Sequence, residues 1–481
     1  MSKKILYIIL LLLVSMDIGY SFLQHYNMPL DGDMAESILP ANGIKKVLKN
    51  PLGFKVFREQ TTYQNPNRFF SHWFFNQSFN KTPQLLRSFK NPIDSVYLTC
   101  AIVKIVVQII LLILLAIAIS GTTKVFDFNF ILAVALITPL FQANGFFAYM
   151  GIIDQSITYV FFYALPLALL MLYFLPLLQK HYYNKKLRWE KIIWILWIPL
   201  TLIVCLSGPL NPGVILVTTA LVLLYQFLVN FAISKEVGFI KGSLEAIRRI
   251  PKDYFLYLIP ICVFSLYSLY IGTYNSFTIK TQIPLIELYS RIPEGLYHQF
   301  TSKLGFPVLF LILIFNAIFI SRNHNTNEGQ KILKLYKWVG LFAIFYILLL
   351  PLGGYREYRS NVLRYDTIMP ITLSLVFLFG HSTLFLIKHI SFNQKKWYLP
   401  IIVIIAFIFT NSDESKFDKN DCERLALQQI SEAKEKVVKL DHECSVFSWE
   451  ITKTPEKSKL NSRVIKHLKI TNEEKLFYFD K

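Results

Sequence analysis

Apolar runs of about 20 residues recur along the chain, and short polar segments separate them. A helix of that length crosses the hydrocarbon core of a bilayer, so each run predicts one membrane span. The pattern predicts eleven spans, at 5–23, 96–120, 128–147, 155–178, 191–207, 214–234, 253–272, 305–321, 336–351, 367–388 and 398–410. The fold class that follows is an all-α polytopic membrane protein.

The pattern changes after residue 410, where polar positions dominate to the end of the chain. Residues 418–440 have the spacing of an amphipathic helix, and residues 444–451 and 475–479 have the composition of strands. The sequence therefore predicts two domains, a transmembrane domain at 1–410 and a small α+β accessory domain at 411–481. Cys422 and Cys444 both fall in the second domain, where they can form a disulfide in an oxidising compartment.

Composition supports a membrane protein and excludes a nucleic-acid partner. Of the 481 residues, 54% are hydrophobic, more than a soluble core of this size needs, and the formal net charge is +19. The lysines and arginines cluster between apolar runs, around 180–191 and 235–252, whereas the loops 148–154 and 208–213 contain none. Under the positive-inside rule the basic loops are cytoplasmic. We therefore expect a cytoplasmic N-terminus, and we expect the first loop at 24–95 and the tail to be extracytoplasmic.

The first candidate site directly follows the first span. Asp31, Asp33 and Glu36 place three carboxylates at the point where the chain leaves the membrane. Two aspartates at this spacing can share Mg²⁺ or Mn²⁺, or divide into metal ligand and general base, and Gly32 between them permits a tight turn. The alternative is that these residues cap a helix and face water.

Aromatic and basic residues mark a second candidate in the same loop. Arg68 and His72 lie in the cluster Arg68-Phe-Phe-Ser-His-Trp-Phe-Phe75. Such a cluster is suited to binding a sugar or a lipid headgroup, with His72 as a possible acid, base or ligand. The alternative is an aromatic belt at the membrane interface. Upstream, residues 38–57 have the pattern of one interfacial helix.

A third candidate is the outer segment 353–366, which carries three arginines against the positive-inside trend. Arginine suits bidentate binding of phosphate, and tyrosine rings pack on sugar or isoprenoid. The candidates for substrate binding are Tyr355, Arg356, Tyr358, Arg359 and Arg364. The alternative is an interfacial anchor with an Arg364–Asp366 ion pair.

Three further ionisable residues fall in or beside apolar segments. Asp17 and Lys104 lie within predicted spans, where a charge needs a partner or a cavity, and the two can pair with each other. Asp154 precedes the fourth span on the same outer side as Asp33. It is either a second acid of the site, as a tentative metal ligand with Asp33, or a helix cap.

These features together resemble the GT-C glycosyltransferases. The resemblance covers residues 1–410 and consists of topology and two short motifs: acids just outside the first helix, at Asp31 and Asp33, and a second acid in the next outer loop, at Asp154. The chain departs from the mannosyltransferases of that superfamily, since Asp31-Gly-Asp33 replaces their paired Asp-Glu. A bacterial branch of the superfamily, in the cytoplasmic membrane, is the expected affiliation.

The resemblance implies a fold, a substrate and residue roles. A lipid-linked sugar donor would enter from the membrane, and an acid of the first outer loop would act as base or metal ligand. That role falls to Asp33, with Asp31 as the other candidate, and the metal would be Mg²⁺ or Mn²⁺. The expected activity is transfer of a sugar from a polyprenyl phosphate to an acceptor in the cell envelope. A transporter or lipid flippase, and a non-catalytic membrane scaffold, are the alternatives.

Overall fold

Nine long apolar helices dominate the described part of the chain. The computed structural model describes residues 2–185, 190–234, 238–276, 283–324, 326–353 and 361–480. Within these ranges, the helices long and apolar enough to cross a membrane are α1 Lys3–Tyr26, α6 Pro92–Ser120, α9 Ile157–Tyr182, α11 Asn211–Ser234, α13 Lys252–Gly272, α15 Gly305–Asn323, α16 Asn327–Leu349, α17 Met369–His389 and α18 Phe392–Ser412. The predicted class, an all-α polytopic membrane protein, is confirmed.

Two shorter apolar helices occupy the remaining predicted spans. The helix α7 Phe128–Ile137 continues only into a 3₁₀ turn at Thr138–Leu140, because Pro139 lacks the N–H that an α-helix needs there. The helix α10 Glu190–Cys205 coincides with the predicted span at 191–207. Both are shorter than about 20 residues, so the count of eleven spans stays a prediction.

Burial separates the helices into a central and a peripheral set. Most side chains of α6, α9 and α17 are buried by other parts of the protein, whereas few side chains of α1, α16 and α18 are buried. The exposed positions of the peripheral helices are largely apolar, as in Leu12, Ile344 and Phe407. A helix satisfies its backbone hydrogen bonds internally, so such a face is compatible with lipid.

The first outer loop is helical but not in the predicted way. Its helices are α2 Met34–Ile38, α3 Asn42–Leu48, α4 Phe54–Glu59 and α5 Phe69–Leu86. The single interfacial helix predicted at 38–57 is wrong, because Pro51 and Gly53 interrupt it. Gly53 has a φ of +70°, a left-handed conformation that glycine adopts without strain.

The remaining short helices lie in loops between the spans. The helix α8 Phe147–Met150 precedes α9, and α12 Phe239–Arg248 and α14 Leu285–Thr301 flank α13. The two longer helices, α12 and α14, each have an exposed apolar face, with Phe239 and Ile240 on α12 and Ile286 on α14. This placement is typical of helices that lie in a membrane interface.

The tail folds as a small α+β unit on the first outer loop. It contains α19 Asp421–Glu432, β1 Val437–Lys439, α20 Lys459–His467 and β2 Leu476–Tyr478, and the two strands pair in parallel. The helix predicted at 418–440 ends early, at Glu432, and the second part of that range contains β1. The strand predicted at 444–451 is wrong, because that segment is irregular. Cys422 and Cys444 form the predicted disulfide.

Candidate functional site

A small cavity lies where the first outer loop meets the start of α9. Its volume is about 80 Å³, and it brings together residues from two motifs that the sequence singled out: Asp33 of the acidic segment, and Arg68 and His72 of the aromatic and basic cluster. The other residues that line it are Glu36, Ser37, Ile44, Gln64, Asn65, Tyr159, Phe162 and Tyr163. Ordinary ligand pockets have volumes of roughly 300–1,000 Å³, so this one can enclose only part of a substrate.

Asp31 is separated from the cavity by its own hydrogen bonds. Its carboxylate is buried and accepts the backbone N–H of Thr158 at 3.0 Å, the hydroxyl of Thr158 at 2.8 Å and the N–H of Asp33 at 3.0 Å. Burial raises the pKa of Asp31, and the Thr158 donors oppose that shift. These contacts make Asp31 a cap for the first turn of α9, but the residue is buried, whereas the alternative to a catalytic role had it facing water.

Asp33 is in a different environment although it is only two residues away. Its side chain is exposed at the cavity, and its Oδ1 accepts the indole N–H of Trp449 at 3.3 Å. Glu36, one turn further along, also lines the cavity and accepts the side-chain amide of Gln64 at 3.3 Å. The Asp33 carboxylate therefore combines solvent access with a held position, as a proton acceptor requires.

Arg68 and His72 line the inner part of the cavity. The guanidinium of Arg68 lies 5.4 Å from the ring centroid of Phe162, and the His72 ring packs edge-on to the same phenyl group. Neither ring nitrogen of His72 has a hydrogen-bond partner among the described residues, and its side chain is only 3% exposed. Burial, reinforced by the charge of Arg68, lowers the pKa of His72 to about 3.

That low pKa narrows what His72 can do. At neutral pH its imidazole is uncharged and keeps one N–H donor and one acceptor nitrogen. Because its ring is buried and uncharged, His72 is suited to forming a hydrogen bond with a ligand in the cavity. Its role in substrate binding stays a prediction.

Sequence reasoning missed the aromatic wall of the cavity. Tyr159, Phe162 and Tyr163 lie on the first turns of α9, and two of them are buried. In the sequence they belong to an apolar span, where aromatic residues need no special explanation. Ser71 is one of the residues that join the loop to this helix: its hydroxyl donates to the carbonyl of Phe161 at 2.8 Å.

Asp154 lies behind the cavity rather than in it. Its side chain is 2% exposed, and its Oδ1 accepts the N–H of Ser156 at 2.7 Å, which is the arrangement of a turn cap. Burial raises its pKa to about 7; the N–H of Ser156 and the nearby Tyr365 oppose the shift, and the charge of Asp366 adds to it. The ammonium of Lys104 interacts electrostatically with both Asp154 and Asp31.

Lys104 and Asp17, which the sequence allowed to pair, have other partners among the described residues. Lys104 donates to the carbonyl of Gln155 and interacts with the outer acids. The charged neighbour of Asp17 is Asp413, at the end of α18. Asp17 and Lys104 thus have different charged neighbours.

The outer arginine segment is described only from residue 361. Tyr355, Arg356, Tyr358 and Arg359 lie outside the described residues. The guanidinium of Arg364 donates through Nε to Oδ1 of Asp366 at 3.0 Å and through a second nitrogen to Oδ2, so the two form the ion pair considered in the sequence. Neither Arg364 nor Asp154 is among the residues that line the cavity.

The residues do not fit a bound metal. In the described ranges, no three His, Cys, Asp or Glu side chains are grouped as metal ligands. Asp33 lines the cavity while Asp154 is buried behind it, and the oxygens of Asp31 already accept three hydrogen bonds. We therefore derive no step through Mg²⁺ or Mn²⁺.

Comparisons with protein-family models, with curated proteins and with solved structures found no match. A function for this chain therefore has to be inferred from its residues and their arrangement. The cavity offers an exposed carboxylate, a guanidinium, a neutral imidazole and an aromatic wall, beside a membrane helix. These groups can bind a polar, anionic headgroup and accept a proton from it or from a second substrate.

Proposed function

We propose that the protein transfers a sugar from a polyprenyl phosphate to a hydroxyl acceptor on the outer face of a bacterial cytoplasmic membrane, as a GT-C-like transferase. The observation that carries this proposal is the common cavity of Asp33, Arg68 and His72 at the start of α9. A lipid-linked donor diffuses within the bilayer, so its headgroup would reach a cavity at this level directly. The cytoplasmic N-terminus and the extracytoplasmic tail are parts of the same proposal.

The chemistry assigned to Asp33 is that of a general base. The acceptor oxygen attacks the anomeric carbon of the sugar while the bond from that carbon to the phosphate oxygen breaks. The electron pair of the broken bond stays on the leaving polyprenyl phosphate, and the acceptor proton passes to Asp33. Transfer then inverts the anomeric configuration, and Asp33 releases its proton to the water that reaches its exposed side chain.

The role assigned to Arg68 is to bind the donor phosphate. A guanidinium neutralises the charge that grows on the leaving phosphate, and the neutral N–H of His72 can donate to a phosphate oxygen in the same cavity. Arg364 is already engaged by Asp366, so it is assigned a secondary part. Arg356 and Arg359 keep their proposed contact with the donor, together with Tyr355 and Tyr358.

Reconstituted vesicles test this directly. The full chain is supplied with radiolabelled polyprenyl-phosphate sugars and a membrane extract as acceptor, and transfer and donor binding are measured separately. Asp33→Asn should abolish turnover and largely retain donor binding, because the amide keeps one acceptor oxygen but cannot take up the acceptor proton. Arg68→Ala should weaken donor binding by about ten- to a hundredfold, the usual effect of losing a charge-assisted contact.

A control variant shows whether the effects on transfer and donor binding are specific to residues of the cavity. Arg87→Ala removes an arginine at the end of α5 that does not line the cavity, and it should leave both readouts unchanged. Full turnover in Asp33→Asn would remove the proposed site. Absence of transfer by the unaltered chain with every donor offered would remove the transferase function itself.

One observation favours a transporter as the second candidate. Lys104 lies within α6 with a side chain 1% exposed, and its charge faces the buried acids Asp31 and Asp154. Buried charges in membrane helices often mark ion or substrate pathways. If the protein is a transporter, it should take up a labelled cargo into vesicles without transferring sugar, and Lys104→Met should abolish that uptake. If it is a transferase, no cargo uptake is expected at all.

A further inference from the structure

The tail contributes a side chain to the mouth of the cavity. Trp449 lies in the irregular segment between β1 and α20, and its indole N–H donates to Asp33 at 3.3 Å. Its ring centroid is 6.5 Å from that of Tyr159, which lines the cavity wall. Although it is held at these two points, Trp449 remains 60% exposed, so much of the indole is open to solvent.

Hydrogen bonds with side chains of α19 and α20 fix the segment that carries Trp449. Glu423 of α19 ties two distant segments together, since one carboxylate oxygen accepts the N–H of Phe447 at 3.0 Å and the other accepts the N–H of Leu30 at 2.8 Å. The side-chain amide of Asn461 donates to the carbonyls of Val446 and Phe447 at 2.9 and 3.2 Å. Two side chains, Glu423 and Asn461, thus anchor the residues directly before Trp449.

Gly32 allows the tail to approach the acidic segment closely. A Cβ added at Gly32 would lie 2.4 Å from the Cδ1 atom of Trp449 and 2.6 Å from its backbone nitrogen, so any other residue would displace the tail segment. The glycine between the two aspartates therefore provides the space in which Trp449 reaches Asp33.

We propose that Trp449 and Asp33 form a carbohydrate-binding subsite at the mouth of this cavity, with the sugar ring stacked on the exposed indole. The chemistry fits a sugar because its C–H face is apolar and packs on an aromatic ring, while its hydroxyls need acceptors such as the Asp33 carboxylate. The cavity of about 80 Å³ encloses only a small group, so a ring attached to that group must lie outside it, beside Trp449.

This inference rests on the proposed function for the class of ligand and deepens it. The phosphate would occupy the part of the cavity beside Arg68 and His72, and the sugar would lie at the rim. The tail would then be a component of the binding site, which its prediction as an accessory domain did not include.

Direct binding of free sugars tests the subsite without relying on turnover. The full chain in lipid nanodiscs is titrated with a panel of methyl hexosides, methyl pentosides and N-acetylhexosaminides, and contact is measured by saturation-transfer NMR. The unaltered chain should bind at least one of them. Trp449→Ala should weaken that binding by roughly threefold to tenfold, and Trp449→Phe should retain part of it.

Three other variants separate a subsite from general damage to the protein. Gly32→Ala keeps both side chains but moves the tail segment, and it should weaken binding as Trp449→Ala does. Gly213→Ala, at a glycine with open space around it, and Trp73→Ala, at an exposed tryptophan outside the cavity, should both bind like the unaltered chain.

The outcomes distinguish the two proposals. Equal affinity in Trp449→Ala and the unaltered chain, or no glycoside binding by the unaltered chain, overturns the subsite. Glycoside binding that depends on Trp449, in a chain that transfers no sugar, supports the subsite and removes the transferase. Sugar transfer with no dependence of binding on Trp449 removes the subsite alone.

Discussion

Thr158 donates both its backbone N–H and its hydroxyl to the carboxylate of Asp31, at 3.0 and 2.8 Å. Through this contact, the acidic segment after α1 joins the start of α9, which forms the aromatic wall of the cavity. Asp33 is left exposed on the other side of Gly32. Two aspartates that are equivalent in the sequence therefore have different tasks, one structural and one open to chemistry.

The difference predicts opposite effects of two alanine variants. Asp31→Ala should lower the free energy of unfolding by about 2–4 kcal/mol, since several buried donors lose their acceptor. Asp33→Ala should change it by less than about 1 kcal/mol, because only the exposed Trp449 contact is lost. Thermal unfolding of both variants in the same detergent, together with an assay of sugar transfer, tests whether Asp31 is structural and Asp33 is not. A comparable loss of stability in Asp33→Ala would contradict it.

The membrane part of this fold could be predicted from the sequence because lipid imposes one solution on a long apolar run. The runs at 96–120 and 367–388 became α6 and α17 with boundaries shifted by a few residues. The span at 128–147 failed in its second half, where Pro139 and the polar stretch Gln142–Asn144 end the helix. Those residues instead contact the end of α18, where Gln142 donates to Ser412 at 2.7 Å.

The site could be predicted only as separate pieces. Asp33, Arg68 and His72 each came from a local motif, and their meeting in one cavity depends on how α2 and α5 pack on α9. Trp449 was beyond prediction, because 416 residues separate it from Asp33. Its place depends on the docking of the tail, which a single sequence does not reveal.

The disulfide between Cys422 and Cys444 should stabilise the tail. It closes a loop with a sequence separation of 22 residues, and a loop of that size corresponds to about 3 kcal/mol in the chain-entropy account. Cys422→Ser should therefore lower the melting temperature of the tail, and reductant should have the same effect on the unaltered chain. Cys262→Ser, at a free cysteine of α13, is the control and should respond little.

Peptide mapping gives an independent check of the same bond. Digestion of freshly isolated membranes without reductant should release one linked pair of peptides containing Cys422 and Cys444. Two free thiols at these positions in isolated membranes would contradict the bond and with it the oxidising compartment expected for the tail.

Topology is the next prediction. Reporter fusions should place the loop at Lys185 in the cytoplasm and the end of the tail outside, because the basic clusters favour the cytoplasmic side. A phosphatase that is active only outside and a fluorescent protein that matures only inside give opposite signals at each position. A cytoplasmic tail would place Asp33 and Trp449 on the inner face, since both belong to the same contact, and would end the outer-face transferase.

The attachment of the tail should also depend on pH through Glu423. Its carboxylate is 3% exposed and accepts from Leu30, Phe447 and the hydroxyl of Tyr97 at 2.9 Å, and Asp31 is an acidic neighbour. Burial raises the pKa of Glu423 from an ordinary 4.5 to about 7, against the opposing effect of its donors. The docked state thus favours the protonated acid more than the undocked state does.

The sign of the pH effect follows from that shift. Below pH 4.5 the acid is protonated in both states and the docking is strongest. As the pH rises towards 7, the undocked state ionises first and gains stability, so docking weakens by up to about 3 kcal/mol and then stays constant. Hydrogen-exchange protection of the tail amides, corrected for the intrinsic exchange rate at each pH, should accordingly be greater at pH 5 than at pH 7.5.

Two variants assign the effect to one residue. Glu423→Gln should dock less firmly at low pH, because one of its two acceptor oxygens becomes an amide donor, but its exchange should vary little between pH 5 and 7.5 once the intrinsic rate is removed. Asp154→Asn removes the other buried acid with a pKa of about 7, and its tail should keep the pH dependence. A pH dependence that persists in Glu423→Gln and disappears in Asp154→Asn would assign the switch to the acid behind the cavity instead.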